Sequence, residues 1–297
     1  RVGAIAAKVL PDIPVSLSST VIPEMQEYER AVTTVANSYV RPRVETYVQR
    51  LEKEISSSMG DVKLNILRSD GGLASAESAA HLPVNLLMSG PAGGVAGAAW
   101  VAGNAGYKDL LTLDMGGTST DVALIQGGVA QLRRETTVGD VTVRASSIDV
   151  RTVGAGGGSI AWVDGLRLRV GPHSAAANPG PACYALGGVE PTITDVDLLL
   201  GYLSSDRFLG GRMTLDPNLA MEAVQKRVAL PLFNGDVMAA AAGIRRVIDA
   251  QMADLIRKST LERGHDPRRF AIMAYGGCAP GHVASYSLEM GIREMIV

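Results

Sequence analysis

The sequence predicts a mixed α/β protein organised around glycine turns. Two observations carry this. Apolar strand candidates and helical stretches alternate along the chain. Two of the strands, Leu110–Leu113 and Phe270–Tyr275, run directly into paired glycines, the first through Asp114 to Gly116-Gly117 and the second to Gly276-Gly277. Glycine turns at strand ends leave room for a ligand to approach the main chain, and in α/β folds they are where anionic ligands settle.

The elements follow in order. Val15–Ser18 reads as a short strand. Pro23 opens a long helical stretch with Glu24, Glu27 and Glu29 near its positive end. Pro42 predicts a kink or a split, with a second helix to about Ile55. Val62–Leu67 reads as a strand. Ser89-Gly-Pro-Ala-Gly-Gly94 reads as a tight loop entering an Ala-rich helix that stops near Gly106; such a loop serves either close packing or an anion.

The most informative segment is Leu113–Asp121. An apolar strand ends in Asp114, Gly116 and Gly117 turn the chain, and Thr118-Ser119-Thr120 leads into a second strand, Asp121–Ile125. The amide and hydroxyl donors of that turn suit phosphate oxygens. Asp114 suits a hydrated Mg²⁺, which prefers oxygen ligands and keeps much of its water. The alternative is an ordinary polar hairpin, and the motif alone leaves both open. Gly127-Gly128 then predicts a turn into a third strand, Val129–Arg134, completing a meander.

Residues 150–211 carry few helical signals and many glycines, including Gly154-Ala-Gly-Gly-Gly-Ser159. Within this stretch Gly156, Gly157 and Asp195 are candidates to face a cleft; Asp195 also suits the cap of a helix over Val196–Tyr202. Helices return with Asp216-Pro217 and with Asp236, after which Val237, Ala241, Ile244, Ile248, Met252 and Leu255 repeat at helical spacing up to Gly264. Pro280–Met290 reads as a short helix and Arg293–Val297 as a last strand. We divide the chain at residue 107, into 1–107 and 108–297.

Composition excludes several classes. The net charge is −2 and aromatic residues make up 4 %, which argues against a nucleic-acid surface or a base-stacking platform. No apolar stretch reaches the ~20 residues that span a bilayer. Cys183 and Cys278 stand far apart and read as free thiols of a reducing compartment, so a cytoplasmic protein is expected. The four histidines show no metal-binding spacing; His282 reads as a nucleotide contact, a cap or a surface residue. The chain begins at Arg1 and ends inside an apolar run, which reads as a piece of something longer.

Taken together, LDMGGTSTDVALI, SGPAGGVAG, TVGAGGGSIAWVDG, RVGPHSAAANPGPACYALGG, PTITDVDLLLGYL and YGGCAPGH resemble the A-type subunits of the hydantoinase/oxoprolinase family. The resemblance covers nearly the whole chain. It implies the ribonuclease-H-like ATPase fold shared by actin, sugar kinases and heat-shock chaperones, here in part. It implies that Asp114, Gly116, Gly117, Thr118 and Ser119 form the second phosphate hairpin, and that Gly276, Gly277, Ala279 and Gly281 form the adenosine motif. The family's first phosphate hairpin has no counterpart in these residues. The implied activity is ATP- and Mg²⁺-dependent opening of a cyclic amide (a hydantoin, N-methylhydantoin, 5-oxoproline or lactam), with a B-type subunit or domain as partner in an oligomer. The same resemblance extends to subunits of ATP-dependent ketone carboxylases. A nucleotide-binding regulatory module and a small-metabolite kinase complete the range, since fold alone does not settle function.

Overall fold

The computed structural model describes residues 1–60 and 62–297. The chain divides into two compact units, residues 1–100 with 130–149 and residues 101–129 with 150–297. Where the sequence predicts one boundary after residue 107, the segment 130–149 thus joins the first unit.

The first unit is dominated by the helix Glu27–Met59, 33 residues long with Pro42 inside it. The predicted split at Pro42 does not occur. Ser38, which loses an N–H partner to this proline, is exposed like Pro42 itself, so water can satisfy the freed carbonyl. The helix starts at Glu27, not at Pro23, with Glu27 and Glu29 in its first turn. Val15–Ser18 forms no strand; the chain makes a single helical turn over Ser18–Val21 instead. The predicted strand over 62–67 is confined to Asn65–Leu67, which pairs with Leu73–Ser75. The predicted glycine loop after Met88 is already the start of the helix Ser89–Asn104. The Ala92 amide reaches the Met88 carbonyl at 3.1 Å, and Pro91 falls in the first turn, where no amide is required. A small core of Val84, Val143 and Ala145 packs against Val21, Val32, Ala36 and Leu87.

The second unit carries the larger core. Its strands in chain order are β1 (Leu110–Met115), β2 (Thr120–Gln126), β3 (Val150–Val153), β4 (Ser159–Asp164), β5 (Arg167–Ser174), β6 (Ala271–Tyr275) and β7 (Met295–Ile296). The main sheet runs β3-β2-β1-β6-β7, with β4 and β5 forming a separate hairpin. β1, β2 and β3 are antiparallel in succession, whereas β6 is parallel to both β1 and β7. The predicted third meander strand is broken into Val129–Ala130 and Leu132–Arg133. The chain leaves the unit there and returns as β3.

Helices α1 (Ile193–Leu199), α2 (Pro217–Val224), α3 (Val237–Ser259) and α4 (Ala279–Met290) contribute side chains to this core, joined by Val228 and Ala229 of the helical segment Gln225–Ala229. The predicted stripe on α3 is the one that packs, with Ala241, Ile244, Ile248 and Met252 fully enclosed against Leu111, Leu113, Leu124 and Tyr286 in one cluster. Enclosing each large side chain of this kind contributes about 1.5–3 kcal/mol. The strand residues Leu110, Leu111 and Leu113 are equally enclosed, so the sheet holds the end of β1 rigidly where Asp114 emerges. The mixed α/β expectation stands.

Candidate functional site

Four sequence motifs meet at one end of this sheet. Asp114 is the penultimate residue of β1, paired with Tyr275 of β6 on one side and with Asp121 of β2 on the other. The hairpin between β1 and β2 is Gly116-Gly117-Thr118-Ser119, closed by the Gly116 amide donating to the Ser119 carbonyl at 3.0 Å. Gly117 and Thr118 at its tip are exposed.

The second motif lies against this hairpin. The Gly157 amide donates to the Gly116 carbonyl at 3.0 Å, and the Gly158 amide to the Gly117 carbonyl at 2.6 Å. A Cβ at Gly156 would stand 2.6 Å from the Gly116 carbonyl oxygen and 2.8 Å from the Thr118 nitrogen. Only glycine permits that approach of two backbones.

The third motif braces the second. The Thr194 amide and hydroxyl both donate to the Gly157 carbonyl, at 2.8 and 2.9 Å. Asp195, a candidate to face the cleft, is instead fully buried. Its carboxylate accepts from the Thr192 amide and hydroxyl, closing a capping box on α1, and from the amides of Ala182 and Cys183. It ties the 182–183 turn to the start of α1 and does not line the cleft.

The fourth motif closes the ring. Gly276 has φ +83°, and a Cβ there would collide with the Asp114 carboxylate and lie 2.6 Å from the Met115 carbonyl oxygen. The Cys278 amide donates to that same Met115 carbonyl at 2.9 Å. Ala279 is fully buried in the first turn of α4, and Gly281 is exposed on it. Asp114, the hairpin glycines, Gly156, Gly157, Gly276 and Gly277 are therefore neighbours.

A cavity of about 520 Å³ opens beside these turns. Gly117, Gly158, Gly277 and Gly281 border it together with Asp197, Tyr202, Tyr184 and Phe208. The Tyr184 and Phe208 rings pack at 5.5 Å.

Behind its wall lies a charged group that the sequence does not announce. His282 is fully buried, its Nδ1 2.7 Å from Asp249 and its Nε2 2.9 Å from Asp197. Arg245 bonds to Asp197 and to the Gly281 carbonyl, and its guanidinium lies 3.6 Å above the Tyr202 ring. His282 is therefore neither a surface residue nor a cap. The one signal in the sequence is Arg245 and Asp249 four apart on the otherwise apolar face of α3, since charges there need partners.

Electrostatics set the state of these groups. Burial, followed by the nearby Asp121 charge, holds Asp114 above the usual carboxylate range. Burial alone would depress His282, but hydrogen bonds to Asp197 and Asp249 outweigh it and raise the imidazole. The Cys278 thiol is pushed up to about 11 by burial and then by the Asp197 charge, so it is not a thiolate at neutral pH. Cys183 and Cys278 are free thiols. Among the described residues no cluster of three or more His, Cys, Asp or Glu is arranged to hold a metal, and no helix is long and apolar enough to cross a membrane.

The fold is the actin-like ATPase fold. The hydantoinase/oxoprolinase family model matches residues 30–297. The chain belongs to that family. It is 38 % identical to the caprolactamase alpha subunit of Pseudomonas jessenii over 100 % of this chain and 43 % of that protein. It is 37 % identical to the acetophenone carboxylase gamma subunit of Aromatoleum aromaticum over 92 % of this chain and 37 % of that one. The crystal structure of the ATP-dependent caprolactamase from Pseudomonas jessenii superposes with a TM-score of 0.84, covering 98 % of this chain and 42 % of its own. The chain thus spans less than half the length of these relatives.

Proposed function

We propose that this chain is the nucleotide-binding part of an enzyme that uses ATP to open a cyclic amide. The convergence of the Asp114 hairpin, the Gly154–Ser159 turn and the Gly276 turn carries this reading. The relatives give it chemistry, since one is a caprolactamase subunit and the family is named for hydantoin and oxoproline substrates.

An amide resists water because its nitrogen is a poor leaving group and its carbonyl a weak electrophile. Transfer of the γ-phosphoryl group to the amide oxygen, with release of ADP, makes the carbon electrophilic. Water then adds to that carbon, the ring C–N bond breaks as the nitrogen takes up a proton, and phosphate is released by a second water. The products are the open amino acid, ADP and phosphate. The chain's own part is positioning and charge neutralisation. The amides of Gly117 to Ser119 and the Thr118 hydroxyl receive phosphate oxygens. The Gly156–Gly158 backbone keeps the hairpin from moving, and Gly276 keeps the second turn against Asp114.

Mg²⁺ fits the donor set. Asp114 supplies an oxygen ligand at a strand end, and a divalent cation there would relieve its repulsion with Asp121. A single carboxylate completed by water and phosphates is the usual arrangement for this ion. It would supply charge neutralisation at the phosphates. A B-type subunit or domain completes the assembly in this reading, in the reducing environment of the cytoplasm.

A second reading is favoured by the acetophenone carboxylase relative, which matches almost as well as the caprolactamase: activation of a ketone for carboxylation at the same ATP site. One assay separates the two. Full-length protein with its co-purifying partner is supplied with Mg-ATP and either cyclic amides or a ketone with bicarbonate, and ADP release is followed. Stimulation by caprolactam, hydantoin or 5-oxoproline supports the first reading. Stimulation by ketone and bicarbonate alone supports the second, and stimulation by neither rejects both.

A further inference from the structure

Asp197 borders the cavity with its side chain almost fully enclosed, and the contacts around it locate it relative to the hairpin. Gly157 bonds the Gly116 carbonyl, and Thr194 bonds the Gly157 carbonyl twice. Asp197 lies three residues beyond Thr194 on the same face of α1, a displacement of about 4.5 Å along the helix axis. Asp197 is therefore one helical turn from the residue that braces the hairpin, and it borders the same cavity as Gly117 and Gly281.

This carboxylate is held with unusual care. Arg245 bonds one oxygen and His282 the other, the latter at 2.9 Å. Asp249 anchors the far side of His282 at 2.7 Å, and Arg245 also bonds the Gly281 carbonyl and covers Tyr202. Burying four ionic groups has a desolvation cost that apolar residues would avoid. The packing of α3 does not call for these charges; their common effect is to fix Asp197. Each of its oxygens accepts one bond and retains capacity for another.

The ligand group that suits this acceptor is a neutral hydroxyl donor. A second phosphate would be repelled, and the aromatic and aliphatic walls at Tyr184, Phe208 and Leu209 suit a flat base. With phosphates at the hairpin, the sugar of a nucleotide falls in the intervening space. We propose that Asp197 accepts hydrogen bonds from the ribose hydroxyls of the bound nucleotide, and that Arg245 and His282 are positioning residues that hold it for this. The proposal rests on the nucleotide reading above.

The test is calorimetric titration of the full-length protein with Mg-ATP and with Mg-2′,3′-dideoxy-ATP. Native protein is expected to bind ATP about tenfold or more tightly than the dideoxy nucleotide, as for a hydrogen bond to a charged group. Asp197→Asn, which keeps the side-chain shape, is expected to narrow that ratio to within about threefold, mainly by weakening ATP. His282→Gln is expected to narrow it partly, with dideoxy-ATP affinity unchanged. Equal affinity of native protein for the two nucleotides overturns the assignment and leaves the ATP site standing. Failure to bind either nucleotide removes both. An ATP preference that persists undiminished in Asp197→Asn also overturns the assignment, and equal affinity in native protein overturns it whether or not the variants fold.

Discussion

Gly276 lies so close to Asp114 that any side chain at 276 would strike the Asp114 carboxylate. Two residues far apart in sequence are brought together because β1 and β6 are parallel neighbours in register, Asp114 opposite Tyr275. The acid at the end of one strand and the glycine turn at the end of the other thus form a single surface.

Gly276→Ala tests this relationship. The new methyl meets both the carboxylate and the Met115 carbonyl at a positive φ of 83°. Strain of about 1–3 kcal/mol is expected, seen as a lower thermal midpoint. Affinity for Mg-ATP should fall together with stability. An unchanged midpoint would mean that the turn relaxes freely and that the close approach is not needed.

Gly156→Ala tests the brace beneath the hairpin. Its methyl would press on the Gly116 carbonyl, the Gly117 carbon and the Thr118 nitrogen, at 2.6–2.8 Å. All three are backbone atoms, so the hairpin itself must shift. Because a misplacement of about 1 Å can cost roughly 100-fold in rate, ADP release should fall far more than stability. Full activity in this variant would separate the Gly154–Ser159 turn from function.

His282 makes stability depend on pH. Its folded value lies above the ordinary histidine value of 6.5, because the bonds to Asp197 and Asp249 outweigh burial. The stability it contributes is fully present below 6.5 and is lost as pH rises through the folded value. Urea unfolding at a series of pH values should show this decline in native protein and its absence in His282→Ala. That variant, which leaves two buried carboxylates short of a partner, should also lose about 3–5 kcal/mol. A pH dependence retained in His282→Ala would assign it to other groups.

Much of this is legible in the sequence. The apolar run Leu110–Leu113 and the glycines behind it predict the β1 hairpin, and the spacing from Val237 to Leu255 predicts α3, because enclosed positions follow helical periodicity. The illegible parts have physical causes. Pro42 reads as a helix breaker, but an exposed helix can turn a freed carbonyl to water. Ser89–Gly94 reads as a loop by composition, although Pro is tolerated in a helix's first turn. Asp195 resembles a cleft acid until its four donors are seen. The Asp197–His282–Asp249–Arg245 group joins residues from three helices, and no local pattern reports such a meeting.

The most direct test of the central claim is titration of full-length protein with Mg-ATP, native against Asp114→Asn, followed by thermal unfolding. Burial and Asp121 hold the Asp114 carboxylate above its ordinary value. The charged form therefore costs stability at neutral pH, and asparagine should leave the ligand-free protein at least as stable. At a hundredfold excess over Kd, native protein should gain about 2.7 kcal/mol from nucleotide, and the variant should gain little or nothing. An equal gain in both proteins would contradict the account, because the nucleotide would then be held without the acid on which the site is built.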